Sequence, residues 1–275
     1  MTNIEMPDRD RLEDRSFGRV GRAWSHLRRH GLLEPIRLVR RHGIGASLGF
    51  VRRNIRHMLA DRLARRWDRR HGVDTAGSIQ LSGLDVVGPH RAMGNEAVCT
   101  SPRTFDFIMK SLPRDLQNHT FIDIGSGKSR TLLLASQYPF AEIIGVEFAR
   151  ELVDIARTNI ERFRDPSRKC RALSVVEADA AAYDFPEMPL VVYFYNPFAK
   201  AVFDIVLKNL VSSLERCPRD CFIVYGSSSH RAIDWARPAI RETGIFQELT
   251  VPVMPGFLDA VRIIDYAVFQ VHAAA

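Results

Sequence analysis

The chain has 275 residues, 46% of them hydrophobic and 26% charged, which excludes a disordered or collagen-like polypeptide and gives length for one or two domains. No apolar run reaches the ~18 residues of a membrane span, and the N-terminal MTNIEMPDRDRLEDR carries acids where a leader would be apolar, so neither secretion nor membrane insertion is expected. The charge of +7 is uneven: residues 1–72 hold 18 Arg, no Lys and 8 acids (+10), while residues 73–275 hold 21 basic and 24 acidic residues (−3).

That imbalance divides the chain into a basic arm or collar (1–72) and a nearly neutral body (73–275, with a lead-in over 73–100 and a core over 101–271). Within the arm, segments 23–31, 37–43 and 49–72 each end in His-Gly after an Arg pair, the pattern of helices closed by glycine. In the last of them Phe50, Ile55, Leu59, Leu63 and Trp67 recur at four- to five-residue spacing and predict one packed face with arginines outside. The stripe favours a collar packed on the body. The arginines equally suit an anionic partner, RNA or a membrane surface.

From about residue 100 short apolar strands alternate with helices. A helix over 101–112, with proline in its first turn, precedes a strand at 120–125 and a helix at 127–138. A strand at 141–148, a helix at 150–163, strands at 172–178 and 190–196 and a helix at 200–214 follow. The last third supplies a strand at 221–226, a helix at 230–238, and two strands near 245–253 and 260–271 with no helix between them. Alternating βα units ending in such a pair predict an α/β fold: a doubly wound, mainly parallel, seven-stranded sheet with a C-terminal antiparallel hairpin, preceded by the Arg-rich helical region. Its ligand belongs at the carboxyl ends of the strands.

The motifs fall at those ends. The first core strand runs into Asp123-Ile-Gly125-Ser126-Gly127-Lys128-Ser129-Arg130. A P-loop needs glycine five positions before Gly127, where Ile122 stands, and a dinucleotide fingerprint needs glycine where Arg130 stands. A third reading uses every residue. Asp123 offers a carboxylate to a cationic amino-acid group, and Gly125, Ser126 and Gly127 let the backbone approach it. Glu147, with Phe148 beside it, ends the next strand, where a carboxylate can accept from ribose hydroxyls. Asp179, followed by Ala180, stands where it can accept from an adenine amino group. Together they describe an adenosine attached to an amino acid, S-adenosylmethionine (SAM). Taken singly, Asp123 is also a helix cap, the glycines turn formers and Glu147 a surface acid. The joint pattern favours the ligand.

FIDIGSGKSR, IIGVEFARELVDIARTNI, VVEADAAAYDF and YFYNPF stand in an order that resembles the class I SAM-dependent methyltransferases, which have a Rossmann-like sheet. More narrowly the chain looks like a bacterial group whose glycine motif reads GSGKGR, with Ser129 here in place of glycine. The segment 67–88 is similar to the lead-in of that group. The resemblance implies methyl transfer from SAM by in-line displacement. It puts the acceptor at Asn196-Pro197-Phe198, where carbonyls hold a nitrogen of a protein, nucleic acid or small molecule, with Asn196 also against the cofactor. The alternative is a non-catalytic SAM-binding scaffold whose basic arm binds nucleic acid or a protein. The four cysteines (Cys99, Cys170, Cys217, Cys221) form neither a CxxC pair nor a ligand quartet, and His90, His119, His230 and His272 are dispersed. No metal and a cytoplasmic setting with reduced thiols are expected.

Overall fold

The computed structural model describes residues 58–79, 84–95, 97–112, 115–227, 230–253 and 265–272. The predicted helices at 23–31 and 37–43, the start of the 49–72 segment with Phe50 and Ile55, and strand residues 260–264 lie outside them. Helix α1 covers 58–71. A two-stranded antiparallel ribbon follows in the lead-in, β1 (Ser78–Ile79) with β2 (Ala97–Val98), an element that sequence patterning does not predict.

The core sheet contains β3 (Thr120–Ile124), β4 (Glu142–Glu147), β5 (Leu173–Glu177), β6 (Leu190–Tyr195), β7 (Cys221–Ser227), β8 (Phe246–Glu248) and β9 (Asp265–Val271). Their order is β5-β4-β3-β6-β7-β9-β8, parallel through β7 and antiparallel at β7–β9 and β9–β8. The expected seven-stranded, mainly parallel sheet with a terminal hairpin is therefore the observed one. β3, β6 and β7 are covered on both faces and buried along almost their whole length, as central parallel strands are. One face packs Ile122, Ile124, Val192 and Phe194 under Phe203 and Ile240; the other packs Phe121, Tyr193 and Val224 with Phe105 and Leu132.

The helices on these faces are α2 (Pro102–Met109), α3 (Arg130–Ala135), α4 (Arg150–Arg162), α5 (Lys200–Arg216) and α6 (His230–Glu242). Ser101 caps α2 by accepting from the Thr104 N–H, and Pro102 stands at the first helical position, where its missing N–H costs nothing. Of the boundaries that differ from expectation, two show their cause. α3 starts only at Arg130 because Ser129 has φ 67°, outside the helical region. α6 runs through Pro238 to Glu242, since Ala236 and Ile240 are buried in the core and hold the helix together across the lost N–H. Among the described residues no helix is long and apolar enough to cross a membrane.

Candidate functional site

The strand order reverses between β3 and β6, and a cleft opens there at the carboxyl ends of the strands, enclosing about 1010 Å³ with its mouth included. Asp123, Gly125, Ser126 and Gly127 form its floor. Glu147 and Phe148 from the end of β4, and Asp179 and Ala180 beyond β5, form one wall; Pro197 and Phe198 after β6 form another. Asn196 is the exception. Its residue takes a left-handed turn (φ 44°), its Oδ1 accepts from the Tyr225 hydroxyl at 3.3 Å, and its side chain is not part of the cleft wall.

Gly125 must be glycine for two reasons. Its φ is 79°, and a Cβ there would stand 2.6 Å from the Cβ of Pro197, closing the floor against the opposite wall. Asp123 is fully buried and accepts from the Thr131 hydroxyl; burial, with the Glu147 charge adding to it, pushes its carboxyl up to about 8. Glu147 accepts from three backbone N–H groups, Gly127 on Oε2 at 2.8 Å and Phe148 and Ala149 on Oε1 at 3.0 Å. Burial raises its pKa while those bonds lower it, and burial is the larger effect. A carboxylate has about four lone-pair sites, so Glu147 retains capacity for one further donor. This carboxylate ties the glycine loop to β4.

Asp179 caps the short helix Ala180–Ala182 through Oδ1 and the Ala181 N–H (2.9 Å), and its Oδ2 meets His90 Nδ1 at 2.7 Å. His90 belongs to the lead-in, which sequence reasoning left without a site residue. The lead-in crosses the top of the cleft as a strap. Val87 N–H donates to Phe148 O, and Asp85 O accepts from Arg150 N–H, both at 2.9 Å, beside β4; Asn95 reaches Pro197 O through its N–H and Asn196 O through Nδ2, both at 2.8 Å, beside β6. His90 and Asn95 both face the cleft. Neither carries a sequence signal beyond the resemblance of 67–88 to a known lead-in, since the strap has no periodic pattern.

Lys128 and Arg130, the second of which stands against the dinucleotide reading, have another use. Lys128 Nζ meets Asp74 at 2.9 Å and Ala76 O at 3.2 Å. Arg130 donates to Asp68 at 2.6 Å, Thr75 Oγ1 at 2.5 Å and Ala64 O at 3.0 Å. Asn159 of α4, buried, grips Asp74 from both sides and also donates to Lys128 O. These residues fasten the lead-in to the glycine loop, and Thr75 and Gly77 become cleft wall as a result.

No protein-family model and no curated protein matches the chain. Similar solved structures exist. A precorrin-6y C5,15-methyltransferase from Geobacter metallireducens shares 15% identity over 68% of this chain and 92% of its own, with a TM-score of 0.44. An RNA methyltransferase from Salinibacter ruber in complex with S-adenosyl-L-homocysteine shares 16% over 63% and 92% (TM-score 0.39). A ribosomal protein L11 methylase from Lactobacillus delbrueckii subsp. bulgaricus shares 11% over 63% and 79% (TM-score 0.42). The overlaps are partial, and the chemistry of the cleft rests on its own residues.

Those residues fit SAM. Ser126 Oγ is tucked under the loop against Gly145 and Leu132, which leaves the backbone of the Gly125–Gly127 turn to line the cleft. Burial keeps the Asp123 carboxyl largely protonated at neutral pH, and a cationic ligand group beside it would favour its ionised form.

Proposed function

We propose that the cleft binds SAM and that the protein transfers its methyl group to a nitrogen acceptor. The observation that carries the reading is the convergence of Asp123, Glu147 and Asp179, from three successive strand ends, on one cleft floored by the Gly125–Gly127 turn. Asp123 and the backbone of the Gly125–Gly127 turn, Ser126 included, would hold the amino-acid end, Glu147 one ribose hydroxyl, and Asp179 with Phe148 and Ala180 the adenine. When bound, the cofactor supplies a sulfonium methyl that an in-line nucleophile can take without protonating the leaving group.

The chain's own contribution is orientation and exclusion of water. The carbonyls of Asn196 and Pro197 would face the acceptor; each keeps a second lone pair beside its Asn95 bond and can stabilise the positive charge that nitrogen gains. Phe198, in the wall beside them, suits a planar or cationic acceptor. The strap shields the cleft from above.

Calorimetry on the full chain with SAM, S-adenosylhomocysteine and NAD in parallel tests the ligand. Binding of the first two and not of NAD is expected; NAD binding alone would sink the reading. Methyl transfer from labelled SAM to pooled RNA, protein and amine acceptors then separates an enzyme from a SAM-binding scaffold, which would bind without turnover.

A further inference from the structure

Helix α1 has two unlike faces. Inward, Asp68 and Ala64 O receive Arg130, Trp67 stacks on Phe163 at 5.9 Å between ring centroids, and His71 approaches Asp165 at 3.5 Å. Outward, Arg62, Arg65, Arg66, Arg69 and Arg70 are exposed, and so are Leu59 and Leu63, at 47% and 61%. At 100° per residue these seven positions fall within an arc of about 160°. Asp61 pairs with Arg65 at 2.9 Å, and no ion pair of Arg62, Arg66, Arg69 or Arg70 occurs among the described residues. Of the described members of the stripe expected to pack on the body, Trp67 does so, while Leu59 and Leu63 face outward among arginines.

We propose that this outer face docks on an anionic lipid bilayer. The charge is complementary to a phospholipid surface, and guanidinium groups can stay at the phosphates on their long stems while the leucines enter the acyl boundary. The leucines decide between polyanions. They stand one turn apart, flanked by Arg66 and Arg70, and gain burial in a bilayer interface; a nucleic-acid backbone rewards the arginines but leaves both leucines without an apolar partner. Thr75 and Gly77, a few residues beyond α1, are cleft wall, so docking would keep the cleft beside the membrane surface.

The test uses the full chain with two probes: sedimentation with phosphatidylcholine vesicles carrying either no or about one third phosphatidylglycerol, and polarisation of a fluorescein-labelled single-stranded RNA. Binding to the anionic vesicles alone, weakened by salt, is expected. Because residues 1–57 hold the other arginines of the arm, salt dependence cannot assign the surface, whereas the leucines can. The exposed double substitution Leu59→Ser, Leu63→Ser should lower vesicle partition on the order of tenfold and leave thermal stability unchanged. Arg66→Gln and Arg70→Gln should lower it about fivefold each. Undiminished partition of the leucine variant, tighter binding to RNA than to anionic vesicles, or no vesicle binding would each overturn the proposal.

Discussion

Arg130 of the glycine motif sets its guanidinium 2.6 Å from the Asp68 carboxylate, with the Trp67 ring 4.6 Å beneath it. Both partners are buried, and Asp68 also accepts from the Thr75 and Ala76 N–H groups and the Thr75 hydroxyl. The end of the basic arm is thus part of the fold of the body. Removing one member of such a pair leaves the other charged and buried. Asp68→Ala should lower unfolding free energy by about 3 to 5 kcal/mol in urea denaturation. The double variant Asp68→Ala, Arg130→Met should recover part of the loss, and an equal or larger loss would show that the backbone bonds of Asp68 dominate.

The same pair bears on truncation. A chain starting at residue 73 lacks Asp68 and Trp67, leaving the Arg130 charge and the face of Phe163 uncovered. It should aggregate or melt well below the full protein in a thermal scan, whereas a chain starting at residue 58 keeps both contacts and should retain most of the melting temperature. Equal stability of the shorter chain would make the collar dispensable.

The sheet was legible because its central strands are buried on both faces and its helices carry period-3.6 stripes, so pattern and burial agree. The acids at strand ends were legible for a similar reason: a carboxylate closing an apolar run has few uses. His90 and Asn95 were not, because the strap that carries them is placed by long-range bonds to Phe148 and Pro197 and by no local propensity. Ile122 and Arg130 could be seen to fit neither phosphate motif, but the partners of Lys128 and Arg130 lie more than fifty residues away. Asn196 was legible as a strand-end residue and as a turn former before proline, but the partner of its side chain, Tyr225, was not.

Ser129 gives a prediction in the stabilising direction. It holds φ 67° at a fully buried position, and its hydroxyl has no hydrogen-bond partner among the described residues. Glycine takes that conformation freely and leaves no hydroxyl to satisfy, against some extra entropy in the unfolded chain. Ser129→Gly should raise stability by about 1 kcal/mol, read as a higher melting temperature with cofactor affinity unchanged. A lower melting temperature would mean that the serine makes a bond through water.

Asp123 couples the site to pH. Its pKa is raised from 3.8 to about 8 by burial first and Glu147 second, so across that window the folded protein holds a proton that the unfolded chain has released. Its contribution to stability is therefore full below about pH 4 and falls as pH rises toward 8. Ligand binding runs the other way. A cationic amino-acid group favours the ionised carboxylate, so SAM should bind more tightly as pH rises from about 6 to 7.5, by up to about tenfold per unit, with proton release. Calorimetry in buffers of different ionisation enthalpy measures both effects. Asp123→Asn should flatten the melting-temperature profile and the affinity profile together, and an affinity slope that survives this substitution would remove Asp123 from contact with the cation.

The acceptor end separates two asparagines that the sequence does not rank. Asn196 has its side chain on Tyr225, outside the cleft wall, while its backbone carbonyl and that of Pro197 are both gripped by Asn95. Orientation of an acceptor by those carbonyls depends on Asn95 as the positioning residue and little on the Asn196 amide. Asn196→Gly is the informative change there, because glycine keeps the left-handed turn that alanine would strain. It should leave turnover within about tenfold, whereas Asn95→Ala, which frees the Asn196 carbonyl and keeps the backbone bond to Pro197, should lower kcat about 100-fold with SAM affinity within a few fold, the scale for losing a preorganised transition-state contact. Single-turnover methylation with saturating SAM reads the chemical step directly. A 100-fold loss in Asn196→Gly with SAM affinity intact would return the orienting role to the Asn196 side chain, and an unchanged Asn95→Ala would show that the strap roofs the cleft without positioning what reacts inside it.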